Sequence, residues 1–285
     1  MKKRSTQSSP TRFPCCGRLT VFKSGKSGLV LILALLTGCA PLATLPAGAL
    51  AFGVLGDTPY SDAEVERLER LIDEMNAQPL EFVVHVGDIG SSARACSDAW
   101  LLERKKQFGR IRHRFVLLPG DNEWSDCRNP MQRLERWRQL FCETPGEFCE
   151  HRHWESGGWV FVGLNVPGHD NNVRHAEHAP RMRAVLAALD EAAVAAEKRD
   201  GLVVLMQANP FFTAPRDGFV ELRKSLESLA AKNPGKVVLI HGDTHLYRDD
   251  EPLPGLRRIE VWGSPVVSWL RASLTPGGLR IDAVR

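Results

Sequence analysis

From residue 50 onward the chain alternates short apolar runs with longer amphipathic stretches. The runs at 51–56, 81–86, 114–118, 159–166, 202–206 and 236–241 are rich in Val, Leu, Ile and Phe and predict strands. They lack the in–out alternation of a half-exposed strand. That predicts burial on both faces, in a largely parallel sheet covered by helices. The stretches between them carry helical spacing. Ser61-Asp-Ala-Glu64 is a capping box, followed by an apolar stripe at Val65, Leu68, Ile72 and Met75 and stopped by Pro79. A second helix is predicted over 97–108. A third runs from an N-cap at Asn129, with Pro130 in its first turn, to about Phe141. Two more are predicted at 180–198, with Val185, Leu186, Leu189 and Val194 inward, and at about 218–231. Strand–helix alternation of this kind belongs to the α/β class. Towards the end the pattern changes: 257–262, 266–273 and 279–284 predict strands joined by Pro/Gly turns without helices, an antiparallel extension. No repeat, linker or low-complexity segment interrupts 51–285, which reads as one domain.

Four of the predicted strands end alike, in Gly56-Asp57, Gly87-Asp88, Gly120-Asp121-Asn122 and Gly242-Asp243-Thr244-His245. One Gly-Asp at a strand end is an ordinary turn. Four would bring several carboxylates to the sheet edge where open α/β sheets place their ligands. Clustered carboxylates repel one another unless a cation lies among them.

The opening residues stand apart. Residues 1–28 hold seven Lys or Arg and no acid, and 29–36 is an apolar run too short to span a bilayer as a mature helix. Basic, then apolar, then small residues is the order of a secretory signal. The run closes in Leu36-Thr-Gly-Cys39, which resembles the lipobox of bacterial lipoprotein signals. The expectation is a signal at 1–38, lipidation at Cys39 and a short tether over 39–50. Ala40 in place of Asp favours the periplasmic face of the outer membrane. Cleavage near Ala49 is the alternative and would leave a secreted periplasmic protein.

Formally the chain carries +3, but after residue 38 it holds 30 basic and 34 acidic side chains, a net of about −4. No basic patch marks a nucleic-acid surface. Cys96, Cys127, Cys142 and Cys149 remain after the signal, an even number in an oxidising compartment, which predicts disulfides. Three pairings are open. Cys142 and Cys149 flank a turn, and Cys96 and Cys127 each follow a Gly-Asp loop, which favours those two pairs. A structural zinc site is the alternative, without the Cys-x-x-Cys spacing that would support it.

Read in order, the segments Asp57-Thr-Pro59, Gly87-Asp88, Pro119-Gly-Asp-Asn-Glu123, Gln207-Ala-Asn-Pro210 and Gly242-Asp-Thr-His245 resemble the calcineurin-like metallophosphoesterases over nearly all of 51–285. That family's pattern is Asp-x-His, Gly-Asp, Gly-Asn-His-Glu/Asp, a lone His after a later strand, and Gly-His-x-His. The resemblance implies a four-layer αββα sandwich of two mixed β-sheets flanked by helices. It also implies a pair of divalent metal ions that hydrolyses a phosphate ester with activated water. The implied metal ligands are Asp57, Asp88 (bridging), Asp121, Asn122, Gln207, Asp243 and His245, with Asn122 and Glu123 at catalytic positions. The implied partners are a phosphorylated substrate and, through the lipid anchor, the membrane.

This chain departs from the family's pattern at several positions. Pro59 stands where the first motif has His, Asp121 and Asn122 fall on its Asn and His, Gln207 replaces the lone His, and Asp243 replaces the first His of the last motif. All but Pro59 offer an oxygen. One or two Mn²⁺, Mg²⁺ or Ca²⁺ ions are therefore favoured over Zn²⁺, with iron also compatible. The family's leaving-group acid is lost at Asn122. Glu123, or His169 after the strand at 159–166, is a candidate in its place. The rival expectation is a catalytically decayed member that binds metal, phosphate or a partner protein without hydrolysis. His85 and His241 lie inside apolar runs and read as core. His151, His153, His175 and His178 read as solvated. Arg128 and Arg174 read as phosphate contacts or surface, and Trp100, Trp124 and Trp262 as pocket lining or rim packing.

Overall fold

A computed structural model of the chain describes residues 50–212, 215–275 and 278–284. The expected signal, Cys39 and the tether before Leu50 lie outside the described residues. The elements run β1 (Leu50–Leu55), α1 (Asp62–Asn76), β2 (Phe82–His85), α2 (Ser92–Ala95), α3 (Asp98–Phe108), β3 (Arg114–Leu117), α4 (Pro130–Phe141), β4 (Arg152–Ser156) and β5 (Trp159–Gly163). They continue α5 (His178–Ala196), β6 (Gly201–Leu205), α6 (Val220–Lys232), β7 (Val237–His241), β8 (Arg248–Leu253), β9 (Leu256–Glu260), β10 (Trp269–Thr275) and β11 (Gly278–Val284). One sheet has the order β11-β10-β1-β2-β3 and the other β4-β5-β6-β7-β9-β8. Both are mixed. β1, β2 and β3 run parallel, as do β5, β6, β7 and β9. β10 and β11, β4, and β8 add antiparallel margins.

The missing alternation in the strands has a plain cause. In β2, Phe82 and Val84 face the other sheet, where they meet Phe161, Val203 and Ile259. Val83 points the opposite way and packs with Leu68, Ile72, Leu101 and Trp137 of α1, α3 and α4. On the second sheet Val160, Val162 and Val204 meet Val185, Leu189, Leu222 and Leu226 of α5 and α6. Both faces of the central strands are therefore apolar, and the layers stack helix, sheet, sheet, helix: the expected αββα sandwich.

Several expectations are corrected in detail. The run at 159–166 is the second half of a hairpin. β4 precedes it across Gly157-Gly158, whose φ angles of 56° and 80° are those of a two-residue turn that only glycine enters freely. β8 escaped notice because it is charged. It is an edge strand whose Asp249 and Asp250 pair with Arg257 and Arg258 of β9, a pattern that blocks edge-to-edge association. The late strands are not one antiparallel extension, because β9 joins β7 in parallel and β10 crosses to β1. In α5, Val194 is exposed, since the buried positions follow Met182, Val185, Leu189 and Ala192 around the helix. Asn129 stands before α4, but its side chain makes no capping bond.

Candidate functional site

The C-terminal ends of β1, β2, β3 and β7 meet, and backbone hydrogen bonds stitch their loops together. Asp57 N donates to Gly87 O (3.0 Å), Gly242 N to Gln207 O (3.0 Å), and Ser264 N to Asp57 O (2.9 Å). Asp243 N donates to Asp57 Oδ1 at 2.9 Å. Asp57, Asp88 and Asp243 all adopt left-handed backbone, with φ of 49°, 59° and 82°, as does His245 at 60°. Each such residue costs about 1 kcal/mol. Gly120 and Gly242 let the chain pass where any Cβ would strike the carboxylates of Asp88 and Asp57.

Asp88 is the hub. Its Oδ1 accepts from Asn122 N (3.1 Å). Its Oδ2 accepts from the Tyr60 hydroxyl (2.9 Å), Asn122 Nδ2 (3.0 Å) and Gln207 Nε2 (3.3 Å). Asn122 Nδ2 also donates to the Tyr60 oxygen (2.8 Å), and the Ser92 hydroxyl donates to Asn122 Oδ1 (2.6 Å). As they stand, Asn122 and Gln207 present NH₂ groups to Asp88. Tyr60 was missed from sequence; its only signal was a position next to Pro59, the departure that removes the family's imidazole.

Burial shapes the electrostatics. It pushes the carboxyls of Asp57 and Asp88 well above the usual range, and neighbouring acids add to the rise. Burial raises Asp121 as well, with Asp126 adding. Asp243 is pushed up to about 7, by burial first and then by Asp121. Burial, reinforced by the charge of Asp88, also holds the Tyr60 hydroxyl far above its ordinary value. Glu123 is pushed up to about 8 by burial.

Glu123 is not placed as a proton donor to substrate. It is fully buried, and its Oε1 accepts from Gly120 N (2.7 Å) and Asp88 N (3.2 Å). It braces the second and third loops from behind. His245 is placed as a ligand would be. Its Nδ1 lies 2.8 Å from Ser264 O, which can only accept, so Nδ1 donates there and Nε2 is turned inward, 3.3 Å from the Tyr60 oxygen. Nε2 lies 3.8 Å from Asp57 Oδ1.

The donor set fits a hard cation. Asp57 Oδ2 and Gln207 Oε1 are buried without a hydrogen-bond partner, beside carboxyls that raise one another's proton affinity. Among the described residues, no three His, Cys, Asp or Glu side chains are gathered closely enough to grip an ion as they stand.

A cleft of about 460 Å³ opens over this centre, lined by Asp121, Asp126, His169, Phe212, Asp243 and Thr244. Trp100, Trp124 and Trp262 do not line it: Trp124 is fully buried, Trp100 donates to Ile89 O (2.8 Å), and Trp262 stacks on Tyr247. Arg128 lies in a different groove, beside Cys96 and Cys127. His85 and His241 are core residues, and burial holds them down to about 4 and 3. His151, expected in solvent, is also held down to about 4 by burial. Both favoured disulfides form, Cys96–Cys127 and Cys142–Cys149. The first contacts the third loop, with Cys96 Sγ and Cys127 Sγ lying 3.7 and 3.6 Å from Asn122 O.

No known family model and no curated protein matches the sequence. Solved structures do match the fold. A dimetal phosphatase from Danio rerio superposes with a TM-score of 0.61 at 14% identity, covering 82% of this chain and 95% of that one. GAP50, the anchor in the inner membrane complex of Plasmodium, gives 0.57 at 13%, covering 83% and 84%. PhoD gives 0.54 at 13%, covering 86% and 70%. The chain therefore has the two-sheet, helix-flanked α/β fold of the calcineurin-like phosphoesterases.

Proposed function

We propose that the chain is a metal-dependent phosphoesterase of the bacterial cell envelope. One observation carries the reading. Loops from both sheets gather Asp57, Asp88, Asp121 and Asp243 at adjoining strand ends, with Asp121 and Asp243 lining the cleft and Asp57 and Asp88 buried, and hold three of the four in left-handed backbone. Such an arrangement destabilises the chain by itself, and clustered, strained acids are the mark of a binding device. Asp57, Asp121 and Asp243, with Gln207 and His245, would hold the ion, and Asp88 would bridge to a second. A bound divalent ion supplies charge neutralisation and a hydroxide nucleophile at neutral pH. The chain's own groups position the rest. With no ion bound, Tyr60 and Asn122 hold Asp88, and Glu123 fixes the loops beneath it. The phosphatase among the fold's neighbours supports the reaction class. The basic–apolar–Cys39 opening and the two disulfides support an exported, lipid-anchored protein. Cys39→Ser would then move the protein from the membrane to the soluble fraction.

A second reading has its own observation. Asp88 already takes four protein donors, as a centre would if neutral groups had replaced a metal. The chain would then bind a metal, a phosphate or a partner without hydrolysis. Metal content of residues 50–285, purified without chelator and reloaded with Mn²⁺, Mg²⁺, Zn²⁺ or Ca²⁺, separates the two. Near two equivalents, with hydrolysis of phosphate esters, supports the binuclear enzyme. One equivalent supports a single-ion site, and none under any loading refutes the catalytic reading.

A further inference from the structure

We propose that His169 is the proton donor to the leaving group, a role that rests on the phosphoesterase reading. The site needs one from outside its core. Asn122 carries an amide, which has no proton to give at neutral pH, and Glu123 is sealed behind the loops. The segment 166–172 lies between β5 and α5 and runs beside the cleft's acids. Gly168 comes so near the acids that a Cβ there would lie 2.5 Å from Asp243 Oδ1 and 2.9 Å from Asp121 Oδ2. His169, next in the chain, is exposed and lines the cleft with those acids. Among the described residues lining it, His169 is the imidazole.

The turn that presents His169 is strained and held. His169, Asn171 and Asn172 all have left-handed φ, at 54°, 57° and 54°. An exposed loop with no task relaxes out of such angles; this one is clamped from below. Arg181 of α5 is only 2% exposed. Its Nη1 donates to Asn171 Oδ1 (2.7 Å) and Asn165 O (3.2 Å), and its Nη2 to Asn171 O (2.9 Å). Asn171 Nδ2 donates to Gly218 O at 2.9 Å. Arg181 is the positioning residue and His169 the group that meets substrate.

In the step, a water oxygen forms the new bond to phosphorus. The bond from phosphorus to the leaving oxygen breaks, and its electron pair goes to that oxygen. The N–H of the His169 imidazolium delivers a proton there, and the imidazole regains one from solvent as the attacking water loses its own. The products are an alcohol and phosphate.

A proton donor matters most where the leaving oxygen is most basic. Two esters therefore serve as probes for the Mn²⁺-loaded protein: glycerol 2-phosphate, which departs as an alkoxide, and p-nitrophenyl phosphate, which departs unaided. For His169→Ala, kcat/KM on glycerol 2-phosphate falls by about 10²-fold or more, the size of a lost general acid. On p-nitrophenyl phosphate the fall stays within about fivefold, because little proton transfer is needed. Manganese content and melting temperature match the wild type. Equal falls on both esters would make His169 a binding or structural residue and overturn the proposal, and so would no fall on either. A manganese-loaded wild type inactive on both esters overturns the phosphoesterase reading, and the proposal with it.

Discussion

Replacing Asp243 by Asn is expected to stabilise the metal-free protein and to weaken its metal binding. Burial and the charge of Asp121 raise this carboxyl from its ordinary 3.8 to about 7. A folded-state value above the unfolded one means that ionising the group opposes folding. The penalty is complete above pH 7 and vanishes below about 3.8. Fully developed, it amounts to about 4 kcal/mol, with about 2–4 kcal/mol surviving local relaxation. The Asn side chain keeps an oxygen for the bond that Asp243 Oδ2 accepts from Asn209 N (3.0 Å). At 2–4 °C per kcal/mol for a domain of this size, Asp243→Asn melts about 5–15 °C higher than wild type at pH 8 in chelator. At pH 4 the gain falls to within about 2 °C. Saturating Mn²⁺ offsets most of this difference. At a hundredfold excess over its dissociation constant it stabilises the wild type by about 2.7 kcal/mol, and the variant gains far less. Thermal melts by circular dichroism at both pH values, with and without metal, give all four numbers. No gain at pH 8, or a gain that persists at pH 4, refutes the electrostatic argument. Equal stabilisation of both proteins by Mn²⁺ refutes Asp243 as a ligand.

Tyr60→Phe removes the hydroxyl between Asp88 and Asn122 and costs about 1–2 kcal/mol; an unchanged denaturation midpoint would count against the network. His151 is half-buried and held down to about 4, against about 6.5 when unfolded, so the unfolded chain takes up its proton first and stability drains away as pH falls from 6.5 towards 4. His151→Gln therefore loses about 2 kcal/mol less than wild type between pH 7 and pH 5, and parallel pH–stability curves contradict this. Opening Cys96–Cys127 with a paired Cys→Ser change frees a loop with a sequence separation of 31 and costs about 3–4 kcal/mol, read by urea denaturation. Both sulfurs touch Asn122 O, so Mn²⁺ affinity falls in the same variant; unchanged affinity would confine the disulfide to a structural role.

What the sequence reveals follows from which residues are constrained in one dimension. β1, β2, β3, β6 and β7 are legible because their residues pack apolar layers on both sides, which leaves an unbroken apolar run. β8 is invisible to the same reading because an edge strand is selected for charge, not burial. The acids were legible because each terminates a strand after Gly, a local signature. Tyr60 was not, because its partners lie 28, 62 and 185 residues away and only the fold brings them together. Glu123 shows the opposite error. Its neighbours in sequence point to chemistry, while its side chain turns under the loop to brace the backbone of Asp88 and Gly120.

The departures from the phosphoesterase pattern make sense as one change in charge. Asp243 and Gln207 stand where that pattern has imidazoles, and Pro59 where its first motif has His, so the candidate ligand positions hold four carboxylates and a single imidazole, His245. Four carboxylates match the charge of two divalent ions and exceed that of one. With two ions every acid can ionise, and Asp88 must give up the donors it now holds. With one ion, Asp57, Asp121 and Asp243 suffice, and Asp88 keeps Tyr60, Asn122 and Gln207. Tyr60→Phe therefore distinguishes the two cases. It favours the second ion, by releasing a competitor for Asp88 Oδ2, if the centre is binuclear. It leaves the metal stoichiometry at one, and lowers stability alone, if the hydroxyl and amides have taken the second ion's place.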